Sequence, residues 1–437
     1  MAKVFMSVLG TTCYVESHYK MNDEISPLTP FVQEAYLRLT QREWSQGDRL
    51  VLFLTEEARC KNWEDGGNFH VGLKSRLENL SLGPLLFPVP FKEGRSEEEI
   101  MENFLTLLNQ LQPGDEVVFD ITHSFRSLPM LNLVALNYVR VLKGIKIDKI
   151  YYGALEVLGP FAQVRAMPEE KRVAPIFDLT PYAALLDWTF AVDEFTRFGL
   201  VERLAELVRE RVEPILRDTR GKDHKAAAVR NFVNHLRGLT MDIYTCRCPR
   251  IFKAKVEDAV LKELPVEGLL PAFAPLVERV RKKVKGFEVD DPWEKSISAV
   301  KWCIDHRLIQ QGYTILLEST ITEVYRLFGL EDLKAKEKDV RGFISSLLCV
   351  VGQNKDSKTW QGNLEKLKGR ALEIVSKGGE PFKKLAQTYD QLNDFRNDIN
   401  HCGCRGNPRK AGDLEDKLKE HFENIKEAMK ALRQAIG

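Results

Sequence analysis

Apolar runs of strand length alternate with amphipathic stretches over the first 180 residues, and then the alternation stops. Strands are expected at residues 4–9, 49–54, 85–90, 116–121 and 149–155, with 176–179 closing an edge. Between them the apolar spacing changes to the period of helices, at 29–44, 70–80, 96–111 and 128–142. Strands alternating with helices of this length build a mainly parallel, doubly wound sheet, and right-handed crossovers make its topology Rossmann-like.

Beyond Pro181 only helical periodicity remains, over 182–216, 222–244, 252–264 and 271–287. An acidic hinge, Val289-Asp290-Asp291-Pro292, comes next. A long helix is then expected at 293–328, and shorter ones at 338–351, 363–375, 381–395 and 413–436. The expected fold class is therefore α/β plus all-α, divided into a Rossmann-like domain (1–181), a helical linker region (182–289) and a helical C-terminal domain (290–437). No repeat of 20 to 50 residues and no low-complexity tract interrupts this order.

Ligands of open α/β sheets bind beyond the carboxyl ends of the strands, near the switch in strand order. Two such ends are chemically rich here. The first strand runs into Gly10-Thr11-Thr12-Cys13-Tyr14, which brings flexible backbone, two hydroxyls and an aromatic ring. The fourth runs into Asp120-Ile121-Thr122-His123-Ser124-Phe125-Arg126-Ser127 just before a helix start, so hydroxyls, helix N–H groups and the Arg126 fork make a phosphate cradle. The plainer alternative is that Thr122 and Ser124 cap the helix while Asp120 satisfies loop amides. Gly-x-Gly-x-x-Gly is absent, so this is not a dinucleotide fingerprint.

The helical part carries Arg-x4-His twice, as Arg230 to His235 and as Arg396-Asn397-Asp398-Ile399-Asn400-His401. A fixed cation and a titratable imidazole are the groups a metal-free ribonuclease needs for phosphoryl transfer from a 2′-hydroxyl. The first copy lies inside an unbroken helical pattern whose apolar face is Val229, Phe232, Val233 and Leu236, so His235 reads as a surface or packing residue. The second is cut off at once by Cys402-Gly403-Cys404-Arg405-Gly406-Asn407-Pro408, which leaves His401 near a helix C-terminus where the dipole favours the imidazolium. Five residues at about 100° each set Arg396 and His401 about 140° apart on a helix, so a site shared across a two-fold dimer is expected. Glu318 and Tyr313, on the long preceding helix, are candidates to line it.

Composition narrows these readings. Sixty-four basic side chains face 63 acidic ones, so RNA contact must be local. The opening residues 1–10 are too short for a signal peptide, no apolar run reaches membrane length, and eight scattered cysteines suit a reducing compartment, so a cytoplasmic protein without membrane contact is expected. Cys246-Arg247-Cys248 and Cys402-Gly403-Cys404 are spaced more tightly than usual zinc ligands, and a zinc site would need the two pairs to converge. No metal site is expected.

Asp-x-Thr-His-Ser-x-Arg at 120–126, after the fourth strand of a Rossmann-like domain, and Arg-Asn-x3-His at 396–401, ending a helical domain, together resemble the CRISPR-associated ribonucleases of type III systems. These pair a CARF domain with a HEPN domain. The resemblance implies that a cyclic oligoadenylate, with cyclic tetra-adenylate as the first expectation, binds a CARF dimer and switches on a metal-independent single-stranded RNA endoribonuclease built by a HEPN dimer, without a cofactor. Thr11, Thr12, Thr122, His123, Ser124 and Arg126 would then face the ligand, beside Gly10 and Asp120 from the strand-end reading. Arg396, Asn397 and His401 would form the nuclease site. Two rival readings are a non-enzymatic ligand-gated regulator, for which Arg279 to Lys285 is the one candidate recognition helix, and a HEPN-type toxin that transfers nucleotides.

Overall fold

Eight strands form one sheet in the order β3-β2-β8-β7-β6-β1-β4-β5. They are β1 (Lys3–Leu9), β2 (His18–Met21), β3 (Glu24–Ile25), β4 (Arg49–Leu54), β5 (Leu85–Pro90), β6 (Glu116–Asp120), β7 (Lys146–Gly153) and β8 (Val173–Asp178). The computed structural model describes residues 2–80, 82–123, 128–254, 269–332 and 337–437, which divide into two compact units, Met1–Leu185 and Leu186–Gly437.

From β7 to β5 neighbouring strands are parallel. The chain steps from β1 outward to β4 and β5, then returns to the other side of β1 as β6, so the switch in strand order lies between β1 and β6. Register fixes which residues meet there: Leu9 pairs with Leu54, Leu54 with Pro90, and Ser7 with Asp120. The loops leaving these four strands thus emerge along one edge.

β1 is buried on both faces, as its apolar run, broken only by Ser7, requires. Phe5 and Leu9 pack on one side with Val32, Ala35 and Tyr36 of α1 (Val32–Leu39). Val4, Met6 and Val8 pack on the other with Leu107 of α2 (Glu97–Asn109) and Ala135 and Leu136 of α3 (Leu128–Lys143). Burying each such side chain contributes about 1.5–3 kcal/mol, which pins the strand in the middle of the sheet.

Residues 176–179 were expected at an edge, but β8 lies inside, antiparallel to β7 and parallel to β2, and the β2–β3 hairpin extends the sheet past it. That hairpin is short and half polar, so no periodicity marks it.

The second unit is helical. Its longer helices are α4 (Thr180–Phe198), whose first residues belong to the sheet unit, α5 (Glu202–Asp218), α6 (His224–Tyr244), α7 (Pro292–Asp305), α8 (Ile309–Leu327), α9 (Glu337–Gly352), α10 (Lys368–Asn400) and α11 (Ala411–Ile436). The helix expected at 182–216 is broken at residues 199–201, and the one expected at 293–328 turns at Arg307, whose φ of 56° is left-handed. The helix expected at 363–375 breaks at Leu367, after a short helix at Asn363–Lys366, and the rest runs together with the one expected at 381–395 in α10 across a kink at Gly379, where φ 54° and ψ −142° suit only glycine and Pro381 lies two residues on. The helix expected at 252–264 lies mostly outside the described residues.

Candidate functional site

A cleft of about 230 Å³ opens at the switch point. Gly10, Thr11 and Thr12 leave β1 along one wall, Thr122 and His123 leave β6 on the other, and Thr55, Phe91 and Lys92 come after β4 and β5. Backbone and side chains hold these loops from behind. Asn62, fully buried, donates to the carbonyls of Gly10 (2.8 Å) and Thr12 (2.9 Å), and Asn68 donates to Asn62 Oδ1 at 2.9 Å. A Cβ at Gly10 would stand 2.6 Å from the Tyr14 hydroxyl, so a larger residue here would displace the Tyr14 ring or the β1 loop.

Asp120 lies under the cleft floor. Its Oδ2 accepts from Ser7 Oγ at 2.7 Å and its Oδ1 accepts from the Thr122 N–H at 2.9 Å. Gln33 Nε2 in turn donates to Ser7 Oγ at 3.0 Å. Burial pushes the Asp120 carboxyl up to about 6, against the hydrogen bonds from Thr122 and Ser7 that favour its ionised form. The Thr122 hydroxyl accepts from the Gly153 N–H at 2.8 Å, tying the β6 loop to the end of β7.

His123 stacks on Tyr14, ring centroids 4.3 Å apart. Its Nε2 is buried and has no hydrogen-bond partner among the described residues. Burial pushes the imidazole down to about 4, so it is neutral at physiological pH and offers one donor or one acceptor rather than a charge. Ser124 and Arg126 lie outside the described residues. Among the described residues lining the cleft the cation is Lys92, whose Nζ lies 3.8 Å from Glu102 and whose backbone is clipped by Asn103 through bonds of 2.8 and 3.0 Å. Lys92, Thr55 and Asn62 were not among the expected site residues. Position just past a strand's carboxyl end singled out residues 10–14, and the same rule points equally to Thr55 and Lys92, whereas nothing in the sequence marks Asn62.

Arg396, Asn397 and His401 all lie at the C-terminal end of α10. Arg396 Nη1 donates to Asn397 Oδ1 at 3.2 Å, and its Nη2 stands 3.8 Å from Glu318 Oε1 on α8. Its Nε is buried without a partner among the described residues. The guanidinium borders an open groove of about 450 Å³ lined also by Glu318, Arg341 and Ser345. His401 caps the helix, its N–H donating to the Asn397 carbonyl at 3.0 Å, and its side chain is exposed. The chain then turns through Cys402 and Gly403 (φ 55° and 68°), and the Gly403 N–H reaches back to the Asp398 carbonyl at 2.9 Å. Arg405 and Arg409 both bind Asp394, at 2.9 and 2.8 Å, and Arg409 covers the Phe395 ring, which anchors the loop after His401. No hydrogen bond or ion pair among the described residues joins Arg396 to His401 within the chain.

A CRISPR-associated protein of Methanocaldococcus jannaschii is 27% identical over 317 residues, 70% of this chain and 45% of that protein. The chain is similar to that CRISPR-associated protein over 70% of its own length. It spans about half the length of the curated relative it matches. Enterococcus italicus Csm6 bound to cyclic hexa-2′-fluoro-hexa-dAMP aligns with a TM-score of 0.46 and 12% identity, over 100% of this chain and 96% of that one. No protein-family model matches.

The other Arg-x4-His hexapeptide lies mid-helix in α6, with Asn234 and His235 exposed and Arg230 4.0 Å from Glu213. Tyr313 does not line the groove: it is fully buried, stacked near Phe395, and donates to the Leu414 carbonyl at 3.0 Å. The basic run 279–285 forms a short helix, Val277–Val284, that buries Val277, Val280 and Val284 and turns its charges outward, with Lys283 3.6 Å from Asp305. Among the described residues no three His, Cys, Asp or Glu side chains are grouped to hold a metal, and no helix is long and apolar enough to cross a membrane.

Proposed function

We propose that this protein is a cyclic-oligoadenylate-activated, metal-independent endoribonuclease of type III CRISPR defence, acting on single-stranded RNA as a cytoplasmic homodimer. Residues 1–181 serve as the CARF sensor, 182–289 as a helical linker and 290–437 as the HEPN nuclease. The observation that carries this reading is Arg396, a guanidinium at an open groove whose buried Nε has no partner among the described residues, five residues before the exposed His401.

In the sensor, Gly10, Thr11, Thr12, Thr122, His123 and Lys92, together with Ser124 and Arg126, hold the phosphates and bases of the ring, and Asp120 fixes the floor from below. A neutral His123 reads a base or hydroxyl by hydrogen bonding. In the nuclease, the 2′-oxygen bonds to phosphorus while the bond to the 5′-oxygen breaks, leaving a 2′,3′-cyclic phosphate. His401 takes the 2′-hydroxyl proton or delivers one to the leaving oxygen, Arg396 stabilises the added charge on the phosphoryl oxygens, and Asn397 holds the Arg396 fork.

The test is cleavage of a fluorescent RNA in EDTA, with and without cyclic tri-, tetra- and hexa-adenylate. Cleavage stimulated by one ring, with cyclic tetra-adenylate expected, supports the reading, and a strict metal requirement or indifference to every ring overturns it.

A further inference from the structure

Glu318 stands between two guanidiniums and treats them unequally. Its Oε2 accepts from Arg341 Nη2 at 2.6 Å, a short charge-assisted bond, while its Oε1 stays 3.8 Å from Arg396 Nη2, beyond hydrogen-bond reach. Arg341 holds that arrangement from α9 by two further bonds into α8, to Thr322 Oγ1 at 2.9 Å and to the Glu318 carbonyl at 3.1 Å. All three side chains border the same groove, with Ser345 bonded to Tyr389 beside them. Two positive charges against one negative charge leave one positive charge over, the complement of a single phosphodiester.

We infer that Arg341 is a positioning residue: by taking the Glu318 carboxylate for itself, it keeps that carboxylate from closing on Arg396 and so leaves the Arg396 fork available to an RNA phosphate. The inference rests on Arg396 being the nuclease's cation. Without Arg341, the Glu318 carboxylate is free to close the 3.8 Å ion pair with Arg396 to hydrogen-bond distance, which would neutralise the fork where the phosphate binds. Removing Glu318's charge as well would free it again.

The experiment measures kcat and KM for RNA cleavage at saturating activator, with folding of each variant followed by thermal unfolding. Arg341→Ala should lower kcat at least tenfold. Arg341→Ala combined with Glu318→Gln should recover to within about threefold of the unmutated protein, since the double change removes both the guard and the group it guards against. Arg341→Lys, which keeps the charge and gives up the fork and its bonds to α8, should recover most of what Arg341→Ala loses. A residue that merely staples α8 to α9 gives the opposite order, with the double variant no better than Arg341→Ala and the lysine variant as poor, and that result overturns the inference. Arg396→Ala runs beside them: if it keeps full activity, the nuclease reading itself fails, whereas a dead Arg396→Ala with an unaffected Arg341→Ala sinks the inference alone.

Discussion

The rings of Tyr14 and His123 stack 4.3 Å apart at 24° across the switch point of the sheet, one from the loop after β1 and the other from the loop after β6. The stack fixes the His123 ring from one face and leaves its buried Nε2 without a partner among the described residues. In the proposed sensor site, a fixed, neutral ring nitrogen left in this way would give a bound ligand one hydrogen bond.

His123→Phe keeps the ring and removes the nitrogen. A neutral hydrogen bond is worth about 1–1.5 kcal/mol, so affinity for the activating cyclic oligoadenylate should fall about tenfold by calorimetry while the sheet unit stays folded. Unchanged affinity would take His123 out of the ligand set. Lys92→Glu should weaken binding more and flatten its salt dependence, because it reverses the cleft's exposed cation.

Asp120 gives a pH signature. Its folded carboxyl is raised to about 6 from an ordinary value of 3.8, chiefly by burial. Between those values the folded state holds a proton that the unfolded chain has released, so stability falls as pH rises through that window, by about 3 kcal/mol in all. Asp120→Asn abolishes this dependence. Relative to the unmutated protein, the variant should therefore gain about 2 kcal/mol between about pH 4 and pH 7 in denaturant unfolding, whatever its absolute stability. A difference that is flat with pH would show that Asp120 is ionised throughout.

For the chemistry, Arg396→Ala and His401→Ala should each remove most RNA cleavage in EDTA and leave activator affinity intact, because sensor and nuclease residues lie in separate units. His235→Ala should cleave normally, since that side chain sits exposed on the middle of α6. A dead His235→Ala beside an active His401→Ala would transfer the assignment to the other hexapeptide.

Legibility in the sequence depends on how each signal arises. β4 falls at the expected residues because an apolar run bounded by Arg49 and Thr55 leaves little freedom of register, and β5 falls there because Gly83-Pro84 marks its start. The β2–β3 hairpin escapes because His18–Met21 and Glu24–Ile25 pair by backbone hydrogen bonds at the end of the sheet, which impose no apolar alternation. The turn at Arg307 escapes for a similar reason: a left-handed arginine looks like any other helical residue until its φ is seen. In the cleft, Thr11, Thr12, Thr122 and His123 were readable from strand ends, while Asn62 supports the same loop from about fifty residues away, which only tertiary structure can reveal. Glu318 was readable as a neighbour of the helical site, but its division between Arg341 and Arg396 was not, since a 2.6 Å bond and a 3.8 Å gap look identical in sequence.

Subunit-shared catalysis is the sharpest consequence of the α10 terminus. Arg396 borders the groove beside α8 and α9, His401 is exposed at the helix end, and the two are about 140° apart around an ideal helix, which makes a site within one chain geometrically awkward. In the proposed homodimer, a two-fold axis apposing two copies would supply each Arg396 with a His401 of the other. Mixing an Arg396→Ala chain with a His401→Ala chain leaves every heterodimer one arginine and one histidine, on different subunits. If the groups act across the interface, such mixtures should cleave RNA where neither parent homodimer does. If each chain builds its own site, every chain lacks a catalytic group and cleavage stays at background. Mixtures of each variant with the unmutated chain run alongside, because a site that needs both histidines would also stay silent in the first mixture but would lose activity in the His401→Ala mixture as well. Background cleavage by verified Arg396→Ala/His401→Ala heterodimers, with the His401→Ala mixture half active, would therefore place the whole reaction within one subunit.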